Sequence, residues 1–98
     1  MKLVWSQQAR TDVQDIFHYI AERNLEAASR LRNAIVACAE RIPEHPFMYR
    51  SGRSPGTREA VIHPNYVLVY RVGNDAVEVV SVMHSRQQYP PADSPHPS

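Results

Sequence analysis

The sequence predicts a single α+β domain, in which an N-terminal strand and an α-helical hairpin pack on a small antiparallel β-sheet. Two observations predict this fold. The N-terminal half carries two apolar stripes at helical spacing, whereas residues 58–84 carry three strand-like runs joined by tight turns. The chain has 98 residues, which suits one domain with a modest core.

The N-terminal half predicts a strand followed by two helices. Residues 2–5 (KLVW) form the strand candidate. Ser6 is a suitable N-cap for a helix that runs to about Arg23, and Asn24 is a suitable cap for a second helix that Pro43 ends. The apolar stripes are Ala9, Val13, Ile16, Phe17 and Ile20 in the first helix and Ala28, Leu31, Ile35, Cys38 and Ile42 in the second. The short connection requires a tight hairpin.

The C-terminal half predicts a loop and a three-stranded meander. Residues 43–57 form the loop, because they contain three prolines and two glycines. Pro64-Asn65 turns the first pair of strands, and Gly73-Asn74-Asp75 turns the second pair. The strand candidates are residues 58–63, 66–72 and 76–84.

The composition, the net charge and the two ends of the chain limit the class of protein. Residues 90–98 hold four prolines, so we expect a domain over residues 1–90 and a disordered tail over 91–98. The chain starts directly with a strand pattern and contains no apolar run of about 18 residues, so a soluble cytoplasmic protein is expected. The net charge of +1 does not favour a nucleic-acid binder. No cofactor motif or metal-ligand spacing is visible, so no cofactor is expected.

Regular strand alternation would divide the sheet residues between two faces. This division follows if His63 pairs with Tyr66 and Arg71 pairs with Glu78. One face would then hold Val61, Tyr66, Leu68, Tyr70, Val77, Val79 and Met83. The other would hold Arg58, Ala60, Ile62, Val67, Val69, Arg71, Glu78, Val80, Val82, His84 and Arg86, an aliphatic centre with charged ends. Alternation alone does not determine which face packs on the helices.

The C-terminal end of the last strand holds the densest polar group. His84 and Arg86, with Tyr89 nearby, could perform general acid–base chemistry on a phosphodiester, or they could simply end the strand. Cys38 cannot form an internal disulfide and lies in an apolar stripe, so a reduced core residue is predicted.

Arginines supply nearly all of the positive charge, since Lys2 is the only lysine among 11 basic residues. Arg71 is expected to pair with Glu78 across two strands. Arg58 has no acidic partner in the regular register, so it is expected to serve a partner or a loop. Arg50 and Arg53 lie in the loop itself.

A series of motifs runs along the chain: W-S-x-x-A-x-x-D at 5–12, I-x-x-Y-I at 16–20, N-L-x-A-A at 24–28, P-x-x-Y-R-S-G-R at 46–53, G-T-R-E at 56–59, Y-V-L-V-Y-R-V at 66–72 and H-S-R-Q-Q-Y-P at 84–90. Taken in this order, the motifs resemble the RelE/ParE superfamily of bacterial type II toxins, and ParE more closely than RelE. The resemblance implies a toxin that is encoded beside an antitoxin, which binds and neutralises it.

The resemblance leaves two activities to choose between. RelE-like members cut messenger RNA on the ribosome, whereas ParE-like members poison DNA gyrase. Ribonuclease members typically have Arg where this chain has Val67, and commonly a basic residue where it has Ala60. Because phosphodiester cleavage needs positive charge at the reacting phosphate, these two aliphatic residues predict a gyrase inhibitor.

The alternatives assign different roles to the same residues. A RelE-type interferase would use Arg58, His84, Arg86 and Tyr89 for catalysis, with the ribosome and messenger RNA as partners. A third reading is an inactive relative that serves only as an autorepressor partner. In the gyrase reading there are no catalytic residues, and the residues that bind gyrase or acidic antitoxin side chains are Arg50, Arg53, Arg58, Arg71, His84 and Arg86.

Overall fold

Two helices cover one face of a five-stranded sheet in the computed structural model, which describes residues 1–86. The elements are β1 (Lys2–Trp5), α1 (Gln7–Ala21), α2 (Leu25–Arg41), a 3₁₀ turn (Ile42–Glu44), β2 (Arg50–Ser51), β3 (Arg58–His63), β4 (Tyr66–Val72) and β5 (Ala76–His84). The strand order is β1-β5-β4-β3-β2. β1 runs parallel to β5, and the other neighbours are antiparallel, so the sheet is mixed. The predictions for Tyr89 and for the tail lie outside the described residues.

Side-chain caps fix both helix starts at the predicted residues. The Ser6 hydroxyl accepts a hydrogen bond from the Ala9 N–H at 3.0 Å and donates one to the Val80 carbonyl at 2.9 Å, so this cap also ties α1 to β5. The Asn24 side chain accepts from the Ala27 N–H at 3.0 Å. Each cap satisfies a backbone donor that has no partner inside its own helix.

The core lies between the helical hairpin and one face of the sheet, called here the inner face. Most of each predicted stripe contributes to it: Ala9, Val13 and Ile16 from the first stripe, and Leu31, Ile35, Cys38 and Ile42 from the second. Trp5 packs against it. Its fully buried members are Ala9, Ile35, Cys38, Ala39, Ile42, Ala60, Leu68, Tyr70, Val77, Val79 and Val82. Cys38 is free and buried, as predicted, and burial raises the pKa of its thiol despite a hydrogen bond with Tyr49.

An irregularity in the β3–β4 hairpin changes the predicted register. Val61 lies opposite Val67, and the next pair is His63 with Tyr66, so Ile62 is an extra residue on β3. An extra residue of this kind shifts the side-chain alternation by one position.

A second irregularity lies between β4 and β5. Val69 pairs with Ser81 and Tyr70 pairs with Val79, so Val80 is the extra residue. Before Val80 the odd-numbered residues of β5 face the helices, and after it the even-numbered residues do. Val82 therefore joins Val79 in the core.

These shifts make the predicted division of the sheet faces wrong for β3 and for the part of β5 that follows Val80, whereas β4 and the first part of β5 lie as predicted. Ala60 lies opposite Leu68 in the core and is completely buried under the helices. Val67 lies on the other side of the sheet, called here the outer face, with Val69, Met83 and Val80. Neither bulge contains a Gly or Pro that would mark it in the sequence, and each bulge reverses the side-chain alternation beyond it.

Asp12 completes the edge of β5 where β1 ends. β1 pairs with β5 only as far as Val79. Beyond it, the Asp12 carboxylate accepts hydrogen bonds from the Ser81 hydroxyl at 2.7 Å and from the Val82 N–H at 3.0 Å. A helix side chain thus replaces the missing strand neighbour, which fixes α1 against the sheet.

Within residues 1–86, neither helix combines the length and the apolar character needed to cross a membrane.

Candidate functional site

The outer face of the sheet has an aliphatic centre. Val67, Val69 and Met83 form a buried cluster there, and Val80 packs against it. None of these side chains can transfer a proton or carry a charge. The middle of this face is therefore apolar and holds no group for acid–base chemistry.

Glu59 organises the charge at one margin of the outer face. Its side chain is only 2% exposed, and its carboxylate accepts from the Arg50 guanidinium at 3.2 Å and from the Arg53 Nε at 3.1 Å. It also accepts from the Arg53 backbone N–H at 3.0 Å. Burial alone would raise the pKa of Glu59, but the hydrogen bonds from Arg53 and Arg50 and the positive charge of Arg53 lower it below its ordinary value.

Arg71 lies near the end of the same face and pairs with Glu78, as predicted. The two charged groups are 4.0 Å apart, and both side chains are about half exposed. Such a pair stabilises the sheet only weakly, and both groups keep surface for contact with a partner.

Arg58 has a different function, because it lies on the inner face and holds the preceding loop. Its guanidinium donates to the Tyr49 carbonyl at 2.7 Å and to the Phe47 carbonyl at 3.4 Å, and it stacks over the Phe47 ring at 4.9 Å. The buried Tyr70 hydroxyl donates to the Pro46 carbonyl at 2.7 Å and fixes the same loop. Of the two roles predicted for Arg58, the structure shows the loop role.

His84 and Arg86 lie at the far end of β5. The His84 ring packs edge-on against Tyr66, with ring centroids 5.4 Å apart. Its Nδ1 accepts a hydrogen bond from the Arg86 N–H at 3.1 Å, and the Arg86 side chain is exposed. This end adjoins a cleft of about 290 Å³ that Tyr19 and Asp15 also line.

The structure does not bring the predicted catalytic residues together. Arg58 pairs with Tyr70, and His84 pairs with Tyr66, four residues earlier on β4. That offset is about 13 Å along the strand, and the two residues also lie on opposite sides of β4. One phosphate group cannot contact both side chains at that separation. Tyr89 lies outside the described residues.

Two carboxylates form hydrogen bonds that the sequence did not predict. Glu59 is an acidic residue inside an apolar strand that follows a loop with two arginines, and this combination is the signal that could have identified it. Asp12 looks like an ordinary surface residue of an amphipathic helix, and its hydrogen bonds with β5 depend on where β1 ends. Within the described part of the chain, no three His, Cys, Asp or Glu side chains are grouped so that they could hold a metal ion.

Comparisons with known proteins agree with this architecture. The family model described as the ParE toxin of the type II toxin–antitoxin system parDE matches residues 3–89. The Y4kP protein of Sinorhizobium fredii is 33% identical over 90 residues, which cover 91% of this chain and 93% of that protein. Toxin RelE2 of Caulobacter vibrioides is 30% identical over 84 residues, which cover 86% and 94%.

A solved structure shows the same fold. A chain of the chromosomal ParDE toxin–antitoxin system from P. aeruginosa superposes with a TM-score of 0.74 at 19% identity, and the match covers 86% of this chain and 95% of that one. The two chains therefore share a fold. The chain belongs to the ParE toxin family of type II toxin–antitoxin systems.

Proposed function

We propose that this toxin inhibits DNA gyrase in the cytoplasm and is neutralised by an antitoxin encoded beside it. The observation that carries the proposal is the aliphatic centre of the outer face, where Val67, Val69 and Met83 lie together. In the RelE-like members that the sequence resembles, the position of Val67 holds an arginine. Removal of one preorganised charge donor typically lowers a catalytic rate by about 10²–10³.

Of the two aliphatic positions, Val67 supports the proposal and Ala60 does not. Ala60 is completely buried beneath the helices, so its small apolar side chain is explained by core packing. Val67 is also buried, but it packs with Val69 and Met83 on the outer face, in the position where RelE-like members hold an arginine.

The cations around the outer face are better suited to binding than to phosphodiester cleavage. Arg50 and Arg53 neutralise Glu59, and Arg71 faces Glu78. A cation that is paired with a carboxylate stabilises a developing phosphorane less than an unpaired cation does. The exposed guanidiniums of Arg50 and Arg71 can still make forked contacts with carboxylates of gyrase or of the antitoxin.

The remaining predicted contact residues divide between the two ends of the sheet. Arg53 and Arg58 act mainly by holding the loop that joins the helices to the sheet. Arg86 and His84 provide a second, separate contact region beside Tyr66. An interferase would need these two ends to act on one phosphate, and their separation along β4 argues against that alternative.

Expression of the free toxin in cells tests the proposal. Gyrase inhibition predicts filamentous cells and an early DNA-damage response while bulk protein synthesis initially continues. Rapid arrest of protein synthesis, with new 5′ ends inside codons on ribosomes, would instead support the interferase. Loss of that arrest in Arg86→Ala or His84→Ala would assign catalysis to the far end of β5. A chain that has no effect on growth would indicate the inactive, autorepressor role.

A further inference from the structure

The loop between the 3₁₀ turn and β2 carries two neighbouring apolar side chains that are mainly exposed. Phe47 is 64% exposed and Met48 is 57% exposed, and within residues 1–86 they are the only two consecutive large apolar residues that are both exposed. The Met48 N–H donates to the His45 carbonyl at 3.1 Å, so Phe47 lies at the corner of a tight turn. Phe47 and Met48 together are called here the apolar tip. Isolated apolar residues are common on protein surfaces, but a patch of them often marks a contact with a partner.

The backbone that presents the apolar tip is held in one conformation. The Arg58 guanidinium donates to the Tyr49 carbonyl at 2.7 Å and stacks over the Phe47 ring. The buried Tyr70 hydroxyl donates to the Pro46 carbonyl at 2.7 Å, on the other side of the tip in sequence. Because these bonds already exist in the free protein, covering the tip with a partner costs little conformational entropy.

A hollow of about 320 Å³ adjoins the apolar tip, because Phe47 and Arg58 both line it. In the part of the chain that the structure describes, Arg58 is the only charged residue of its lining. The Nη1 of Arg58 donates to the loop carbonyls, whereas its Nε and Nη2 make no hydrogen bond within residues 1–86. A guanidinium with donors to spare suits a carboxylate, so the hollow fits an acidic side chain.

Further cations flank the tip and the hollow. Arg50 follows Met48 by two residues, and Arg71 precedes Val72, which lines the hollow. Each of these arginines pairs with a glutamate of this protein, but both side chains remain mainly exposed. An aromatic and apolar centre with a charged rim is the usual composition of a protein–protein contact. The complementary surface is an apolar recess with carboxylates at its rim.

The shape of the tip selects the kind of partner. A fixed convex turn needs a concave site, and large folded proteins have such sites, preferentially between their domains. A short extended segment has no recess of its own. A second copy of this chain would bring Arg50, Arg58 and Arg71 against the same three cations, which is repulsive.

We propose that the apolar tip and the adjoining hollow form a contact by which this toxin binds gyrase. Phe47 and Met48 enter an apolar recess of gyrase, and a gyrase carboxylate enters the hollow and binds Arg58. This inference rests on the proposed gyrase target, to which it adds a defined contact surface on the toxin.

Inhibition of DNA supercoiling by the purified free toxin tests the contact at the tip. The double variant Phe47→Ser/Met48→Ser should raise the concentration for half-inhibition at least about tenfold, the effect of losing a central interface contact. Met48→Ser alone keeps the stack of Arg58 on Phe47 and should raise it at least about threefold. Thermal unfolding verifies that each variant folds.

Leu25→Ser is the matched control for the tip. Leu25 is 63% exposed and begins α2, about 24 Å along the helix from the end that leads into the loop. Its replacement should change the inhibitory concentration less than about twofold, because it removes exposed apolar surface far from the proposed contact.

Substitution of Ser54, which lines the hollow, tests the carboxylate. Ser54→Glu places a negative charge where the gyrase carboxylate is proposed to bind, and Ser54→Gln adds a side chain of the same size without the charge. We expect Ser54→Glu to raise the inhibitory concentration at least about threefold more than Ser54→Gln does. Equal values for the two variants would overturn the binding of a carboxylate in the hollow.

The outcomes separate the contact from the target. Variants of the tip that inhibit gyrase as well as the unmodified toxin does would overturn the contact and leave the gyrase target intact. An unmodified toxin that neither binds nor inhibits gyrase would overturn the target and the contact together. Normal gyrase inhibition by the double variant, with at least about tenfold weaker binding of the protein encoded by the adjoining gene, would assign the tip to the antitoxin instead.

Discussion

Replacement of Glu59 by glutamine should destabilise the protein strongly at neutral pH. The buried carboxylate accepts three hydrogen bonds of 3.0–3.2 Å from Arg50 and Arg53. Hydrogen bonds to charged groups contribute roughly 1.5–3 kcal/mol each. Both arginines are partly exposed and regain water in the variant, and the glutamine carbonyl keeps one acceptor. The expected loss in unfolding free energy is therefore about 2 kcal/mol rather than the full sum.

The effect should depend on pH with a definite sign. The pKa of Glu59 in the folded protein is lowered from its ordinary value of 4.5, so the stabilisation by its carboxylate is complete above that value and is lost as the pH falls through the folded-state pKa. The difference in unfolding free energy between the unmodified protein and Glu59→Gln should therefore narrow as the pH falls below 4.5.

Urea unfolding at pH 7 and at pH 3 measures both effects. A loss of about 2 kcal/mol corresponds to a decrease of roughly 8–16 °C in melting temperature for a domain of this size. Glu78→Gln is the matched control, because its half-exposed pair with Arg71 should contribute about 0.5 kcal/mol or less. The reasoning is refuted if Glu59→Gln unfolds within about 0.5 kcal/mol of the unmodified protein at pH 7, or if the gap is the same at both pH values.

Two further variants or probes test other parts of the structure. Asp12→Asn weakens both hydrogen bonds to the free edge of β5, so it should reduce the unfolding free energy by about 1–2 kcal/mol in chemical denaturation. Asp15 is exposed, so the control variant Asp15→Asn should change the unfolding free energy by less than about 0.5 kcal/mol. Equal effects of the two variants would contradict the role of Asp12 at the edge of β5. Cys38 is 5% exposed and burial raises the pKa of its thiol. A thiol reagent should therefore modify Cys38 only at the rate at which the protein unfolds. Immediate modification of the native protein would show that the helical hairpin opens locally.

The sequence predicted the elements of the fold because their signals are local. Ser6 and Asn24 cap the helices where their side chains can reach the first free N–H groups, and the 3.6-residue period of each apolar stripe fixes the buried face. Gly73 begins the turn that joins β4 to β5, and its N–H bonds the Ala76 carbonyl at 2.8 Å. These features depend on neighbouring residues only.

The division of the sheet faces could not be predicted, because it depends on non-local pairing. Ile62 and Val80 are β-branched residues that suit a regular strand, yet each is the extra residue of a bulge. At the Val80 bulge, Ser6 bonds the Val80 carbonyl and Asp12 bonds the Val82 N–H, and both partners lie far away in sequence. Ala60 therefore faces the helices, contrary to the predicted division, whereas Val67 lies on the outer face.

The same limit applies to the candidate site. Arg71 and Glu78 were predicted as a pair because a tight turn fixes their register. The salt bridges of Glu59 require a short strand, β2, that has no periodic pattern of its own. Sequence reasoning consequently identified the cations but not the carboxylate that holds two of them.

The central claim is that the aliphatic outer face belongs to a gyrase inhibitor and not to a nuclease. The most direct measurement incubates the same preparation of purified free toxin with DNA gyrase and plasmid DNA, and in parallel with ribosomes translating a defined messenger RNA. The account predicts loss of negative supercoiling or accumulation of the gyrase–DNA cleavage complex, while the messenger RNA remains intact. Ribosome-dependent cleavage of the messenger RNA, with gyrase activity unchanged at the same toxin concentration, would contradict it.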